Sequence, residues 1–211
     1  MKAQLKSVVI LFSIVIVLFG FGCGQNNKHE LQAEQVSPVI YGEDNRKDYS
    51  EITDAALKET AHSTVALISK ELMTLDTVFN VYRLEKSSSS LPLCPTERFR
   101  EQSTWAHCSG SLIGEDVVLT AGHCVVDEKD CRSAYYVFDY ELHGRENIFS
   151  QVSANSVYTC AGIIYTSAQK KGLADFALIR LDRKVEDRKP LVLADKEVAY
   201  NDKLMMIGHP S

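Results

Sequence analysis

From Ser63 onward the chain is a succession of short apolar or alternating segments cut apart by turn residues, and this pattern constrains the fold most. STVALI (63–68), VFNVYRL (78–84), the stretch 107–113, VVLT (117–120), YYVFDY (135–140), NIFSQVSANSVYTC (147–160), DFALIRL (175–181) and LMMIG (204–208) carry β-branched or aromatic residues. Segments of this length and composition suit strands, and their close spacing indicates an all-β barrel or sandwich. Pattern alone does not choose between those two, and it shows no repeat. Helix signals are sparse. Thr53 or Asp54 is placed to cap a short helix over AALKETA (55–61), with Lys58 and Glu59 on its wet side. SSSS (87–90) followed by LPLCP reads as a surface loop.

The N-terminus has a different character. Lys2 and Lys6 precede the apolar run VVILFSIVIVLFGF (8–21), and Gly22-Cys23 follow. The run is short for a membrane span and its flanks are those of an export signal, so residues 1–23 are expected to be one. A buried strand or an anchor helix is the alternative. Cys23 stands where the lipid-modified cysteine of bacterial lipoproteins stands, although Gly20-Phe21-Gly22 departs from the usual residues ahead of it. Secretion, periplasmic release and a lipid anchor at a bacterial membrane are therefore the alternatives for location. Residues 24–38 form a polar tether or pro-region, broken by Ser37-Pro38. The six cysteines (Cys23, Cys94, Cys108, Cys124, Cys131 and Cys160) fit an exported chain, where disulfides are the default. A lipid on Cys23 would leave an odd number. A net charge of -5, with no basic run interleaved with aromatics, argues against nucleic acid as a partner.

The residue with most chemistry to offer is His123, in VVLTAGHCVVD (117–127). An imidazole titrates near neutrality, so it can take a proton from a hydroxyl and return it to a leaving group. It needs an acceptor on its other nitrogen, usually a carboxylate. Asp127, Asp130, Asp139 and Asp175 are candidates. Asp175 stands out because it immediately precedes the apolar run FALI, at the mouth of a buried strand; a turn or cap role is the alternative. A metal site made from His107, Cys108, His123 and Cys124 is a weaker reading, because adjacent residues on a strand point to opposite faces. His29 and His143 read as solvated, His62 as a last-turn helix residue, and His107 as a packing residue at a strand edge.

CSGSLIGEDVVLTAGHC (108–124) resembles the first-barrel signature of trypsin-like, chymotrypsin-fold serine endopeptidases, and DFALIRL (175–181) is similar to the segment that carries their triad aspartate. The resemblance implies a chymotrypsin-like double β-barrel, with the first barrel complete and the second only begun. It implies that His123 is the general base, that Asp175 orients it, and that Cys108 is bonded to Cys124. It implies no cofactor and no metal. VIYGEDNR (39–46) resembles the mature start of bacterial glutamyl-endopeptidase-like members, which makes Val39 the expected mature N-terminus. Gly208-His209-Pro210 resembles a Gly-(Tyr/His)-Pro piece of the same branch. Residues 39–211 are thus expected to be the N-terminal part of a peptidase domain. The partner would be a protein or peptide substrate, and the chain a monomer.

One part of the pattern is missing. The family's nucleophilic serine lies in a Gly-(Asp/Asn)-Ser-Gly motif, and no such motif occurs in the 211 residues. Ser109, Ser111 and Ser211 sit in other contexts. The expectation is a serine endopeptidase chain truncated before its nucleophile; the alternative is a non-catalytic exported protein that binds other proteins. Cys94, Cys131 and Cys160 are expected to contribute one more disulfide, with Cys131–Cys160 the first-barrel choice.

Overall fold

The computed structural model describes residues 43–84, 98, 99, 102, 104–141, 150–168, 172 and 174–209. Cys23, Val39, Cys94, His29, His143, Pro210, Ser211 and the SSSS segment lie outside the described residues, as does the first of the two units into which the chain divides, Met1–Tyr41. Every described strand and helix belongs to the second unit, Gly42–Ser211.

A 3-10 turn at Tyr49–Glu51 leads to α1 (Ala55–His62). The Asp54 carboxylate accepts from the Ala56 and Leu57 amides, two donors a helix start leaves unpaired, so the expected cap and helix are both present. Then come β1 (Thr64–Ser69), β2 (Met73–Asp76), β3 (Val81–Leu84), β4 (Ala106–Gly114) and β5 (Val117–Thr120). After a 3-10 turn at Gly122–Cys124 follow α2 (Glu128–Ser133), β6 (Ala134–Val137), β7 (Gln151–Ser153), β8 (Val157–Thr166) and β9 (Ala177–Leu181). Six strands close a barrel in the order β1-β4-β5-β9-β8-β6, all antiparallel, and β2-β3-β7 form a separate three-stranded sheet. The fold is the chymotrypsin-like all-β class, with its first barrel closed and a second sheet open.

Strand alternation builds two cores from one wall. Along β1, Val65 and Leu67 enter the barrel with Leu112, Val118, Tyr136, Phe138, Ile179 and Leu181. Their neighbours Ala66 and Ile68 face the other way, packing with Met73, Trp105, Val137, Val152 and Val157 beside the three-stranded sheet. A strand covered on both faces needs a continuous apolar run, which STVALI supplies. Gly110 on β4 is required by closeness: a Cβ there would lie 2.7 Å from Val118 Cγ1 and 3.0 Å from Val65 Cγ1. Two disulfides staple the barrel, Cys108–Cys124 and Cys131–Cys160, the second fixing α2 to β8.

NIFSQVSANSVYTC (147–160) is not one strand: a 3-10 turn at Ala154–Ser156 divides it into β7 of the three-stranded sheet and the start of β8 of the barrel. Three other expected strands also differ. VFNVYRL is strand only from Val81, because Asp76 accepts from the amides of Val78 and Phe79 and Asn80 turns at φ 53°, making a hairpin tip of the first half. YYVFDY leaves the ladder after Val137, and Asp139 sits at φ 56°, outside strand geometry. LMMIG (204–208) forms no strand; no described strand pairs with it, and Leu204, Met205 and Met206 are exposed. Strand propensity is not expressed without a ladder to join. The short helix α2 is an addition to the expected elements; Asp127 caps it through the amides of Lys129 and Asp130.

Candidate functional site

The register between β5 and β9 brings together residues distant in sequence. Thr120 lies opposite Ala177, so the turn leaving β5 and the segment entering β9 emerge side by side on one rim of the barrel. The first carries His123 and the second Asp175.

The turn itself follows from local sequence. After Ala121 the chain makes one 3-10 turn, closed by bonds from the Cys124 amide to the Ala121 carbonyl (3.1 Å) and from the Val125 amide to the Gly122 carbonyl (3.1 Å). The disulfide to Cys108 pins that turn to β4. Gly122 is needed because a Cβ would stand 2.7 Å from Asp175 Oδ1 and 3.1 Å from both the Ala168 nitrogen and the Phe176 carbonyl oxygen. The glycine lets the carboxylate approach the turn closely.

Both oxygens of Asp175 then engage the same residue. Oδ1 accepts from the His123 main-chain amide at 2.9 Å, and Oδ2 lies 2.5 Å from His123 Nδ1. The hydrogen bond from the His123 ring holds the Asp175 carboxyl below its ordinary value; burial acts the other way, and the His123 and Gly122 amides and the His123 charge add to the lowering. An ionised carboxylate only accepts, so the neutral imidazole carries its proton on Nδ1 and keeps a lone pair on Nε2. No described residue hydrogen-bonds to Nε2, and the His123 side chain is 72% exposed. The arrangement is chemically a base with its acceptor side open.

The other candidate acids are used elsewhere. Asp127 caps α2, Asp130 accepts from the Val126 amide at 3.1 Å, and Asp139 pairs with Arg188. Ser109 is occupied too: its hydroxyl accepts from the His209 amide at 2.6 Å and lies 3.3 Å from the His209 carbonyl oxygen. Cys108, His123 and Cys124 do come within 4.8 Å of one another, but the two sulfurs are bonded to each other and offer no thiolate. His107, on β4, keeps part of its surface open, while burial of the rest lowers its pKa. His62 ends α1 as expected and also meets Tyr49 and Asp139, contacts that no local pattern announces.

Beside the pair a cleft of about 340 Å³ runs along β4 and β5, lined by Ser109, Ser111, Thr120, Asp175, Phe176 and Ile207 among others. Ser109 on β4 also grips the His209 backbone, and Ile207, two residues before it, forms part of the cleft wall.

A search among curated proteins gives no match. The family model described as Trypsin matches residues 96–211, a span that holds five of the six barrel strands complete, including the two whose ends place the paired histidine and aspartate. That span is more than half of the chain, and the barrel it crosses is closed in the chymotrypsin-like way, so the chain belongs to the trypsin family.

Proposed function

We propose that this chain is the N-terminal part of a serine endopeptidase, with His123 as general base and Asp175 as the residue that orients it. The observation that carries the reading is the two-point grip of Asp175 on His123, which engages Nδ1 while the side chain stays largely exposed. In the reaction, Nε2 removes the proton of a serine hydroxyl as its oxygen attacks the scissile carbonyl carbon. The resulting imidazolium is stabilised by the ionised Asp175. It returns the proton to the leaving amine when the tetrahedral intermediate collapses, and a water activated by the same Nε2 then releases the acyl-enzyme. No cofactor takes part.

The serine would lie beyond Ser211, with the backbone donors for the developing oxyanion and most of the pocket that reads the substrate side chain. The glutamyl-endopeptidase-like branch is supported by VIYGEDNR (39–46) and by Gly208-His209-Pro210. In that reading the chain is exported as a monomer, Val39 becomes the mature N-terminus, and a lipid on Cys23 would anchor only the form not yet cut at Val39.

The DNA beyond codon 211 tests the proposal. A continuation with a Gly-x-Ser-Gly motif is expected; a continuation without one would sink it and favour a non-catalytic exported binder. The 211-residue chain, incubated with casein and an active-serine probe, is expected neither to cut nor to label. Labelling would mean that one of its own serines is the nucleophile.

A further inference from the structure

If His123 and Asp175 are a working pair, the reading on which this inference rests, the carboxylate has to be aimed at the ring. Strand β8 ends at Thr166, and the next residue, Ser167, is only 4% exposed. A hydroxyl buried to that degree is costly unless bonded, and here its bonds converge on one place. Ser167 Oγ lies 2.5 Å from the Ala174 carbonyl oxygen and 3.0 Å from the Phe176 carbonyl oxygen, the acceptors for its single proton. It also accepts from the Phe176 amide at 2.8 Å, and the Ser167 amide donates to the Phe176 carbonyl at 3.0 Å.

These contacts fall on both peptide groups that flank Asp175. The Ala174 carbonyl belongs to the planar peptide on its N-terminal side, and the Phe176 amide to the one on its C-terminal side. Peptide groups are rigid planes, so the two dihedrals of Asp175 are the rotations of those planes about its Cα. One oxygen bonded to both planes restrains both rotations, and with them the direction of the Cα–Cβ bond. The preceding residue acts on the other half of the pair: Thr166 Oγ1 donates to the Val125 carbonyl at 3.1 Å, at the end of the turn that carries His123.

We propose that Ser167 is a positioning residue for Asp175: its buried hydroxyl sets the backbone from which the carboxylate reaches His123. It touches no reacting atom and acts through Asp175 alone. A displacement of the carboxylate by a fraction of an ångström would lengthen the Nδ1 contact while leaving the barrel closed, so the effect belongs to the pair rather than to the fold.

The test uses the full chain and its proton NMR spectrum. The His123 Nδ1–H proton, bonded to a carboxylate, is expected far downfield in the unaltered chain, and Asp175→Asn removes it. Its absence from the unaltered chain would overturn the underlying pair itself. With the signal present, Ser167→Ala is expected to abolish it by exposing the proton to exchange. Ser156→Ala removes an equally buried hydroxyl, bonded to Asp139 at 2.6 Å, and is expected to leave the signal in place. A signal unchanged in Ser167→Ala, or lost equally in Ser156→Ala, contradicts the positioning role. A second measurement needs no variant. The Phe176 amide is expected to exchange at least about tenfold more slowly than an unbonded amide, the equivalent of one net hydrogen bond. Exchange at the unbonded rate also overturns the proposal.

Discussion

The described residues of the barrel include two histidine–aspartate pairs, and the contrast between them shows what makes one a candidate for chemistry. His123 meets Asp175 at a rim, with both side chains largely exposed. His62 has Nδ1 3.5 Å from Asp139 Oδ1 and Nε2 2.8 Å from the Tyr49 hydroxyl, so both ring nitrogens are engaged. Asp139 is equally occupied. It receives two bonds from Arg188, at 3.0 and 3.1 Å, and one from the Ser156 hydroxyl. The Arg188 side chain is only 6% exposed; it also donates to the His62 carbonyl at 2.9 Å and lies over the Phe138 ring at 4.6 Å. A surface depression of about 430 Å³ opens over this cluster, larger than the cleft beside His123. Its size follows from charged side chains spread around Arg188, and it offers no unengaged imidazole lone pair. The same two residue types build a clamp in one place and an open base in the other.

The largest way to sharpen that contrast is kinetic. In the product of a reading frame carried past codon 211, His123→Ala is expected to slow peptide hydrolysis by roughly 10⁶-fold. His62→Ala is expected to leave the rate unchanged. Equal losses from the two variants would erase the distinction.

Stability should divide the other way. Arg188→Ala strands a half-buried carboxylate and is expected to cost about 3 kcal/mol in denaturant unfolding. Asp175→Asn, at the open rim, is expected to cost less, because solvent screens much of the stabilisation from a half-exposed carboxylate. A smaller loss is expected from Gly122→Ala, about 1–3 kcal/mol, because the new methyl meets main-chain atoms of residues 168 and 176 that cannot move aside freely. That variant should also drive Asp175 away from His123, a change that loss of the downfield imidazole proton would report.

The smallest effect is one of pH. Burial alone would raise the Asp139 carboxyl, but hydrogen bonds from Arg188 and Ser156 and the Arg188 charge outweigh it and hold it below the ordinary range. A carboxyl lowered on folding stabilises the folded state fully above its unfolded value, about 3.9, and loses that contribution as pH falls through the folded value. The unfolding midpoint of the unaltered chain is therefore expected to fall in that acid window. Asp139→Asn should be less stable at neutral pH and show a shallower acid decline. Parallel curves would mean that Asp139 contributes nothing through its charge.

Much of the open pair is legible in the sequence, and little of the clamp. His123 and Asp175 lie in local motifs whose neighbours, a small-residue turn and an apolar strand, have to be present for the geometry to form. Their meeting depends on the pairing of Thr120 with Ala177, and alternation alone does not set a register. The clamp joins residues from separate elements: Arg188 reaches His62 across 126 positions, from a charged stretch that reads as solvated surface. Ser167 is silent in the sequence for the same reason, since one serine after a strand carries no pattern until the fold buries it. The residues 204–208 mislead in the opposite sense. Their composition suits a strand, but a strand also needs a partner, which composition does not reveal.

The central claim is that the first barrel alone holds His123 and Asp175 as a coupled pair. The most direct measurement is the pH titration of the Asp175 carboxyl carbon by NMR, in the unaltered chain and in His123→Ala. The account predicts a midpoint below the ordinary aspartate value in the unaltered chain and a return toward that value once the imidazole is gone. Identical midpoints in the two proteins would contradict it.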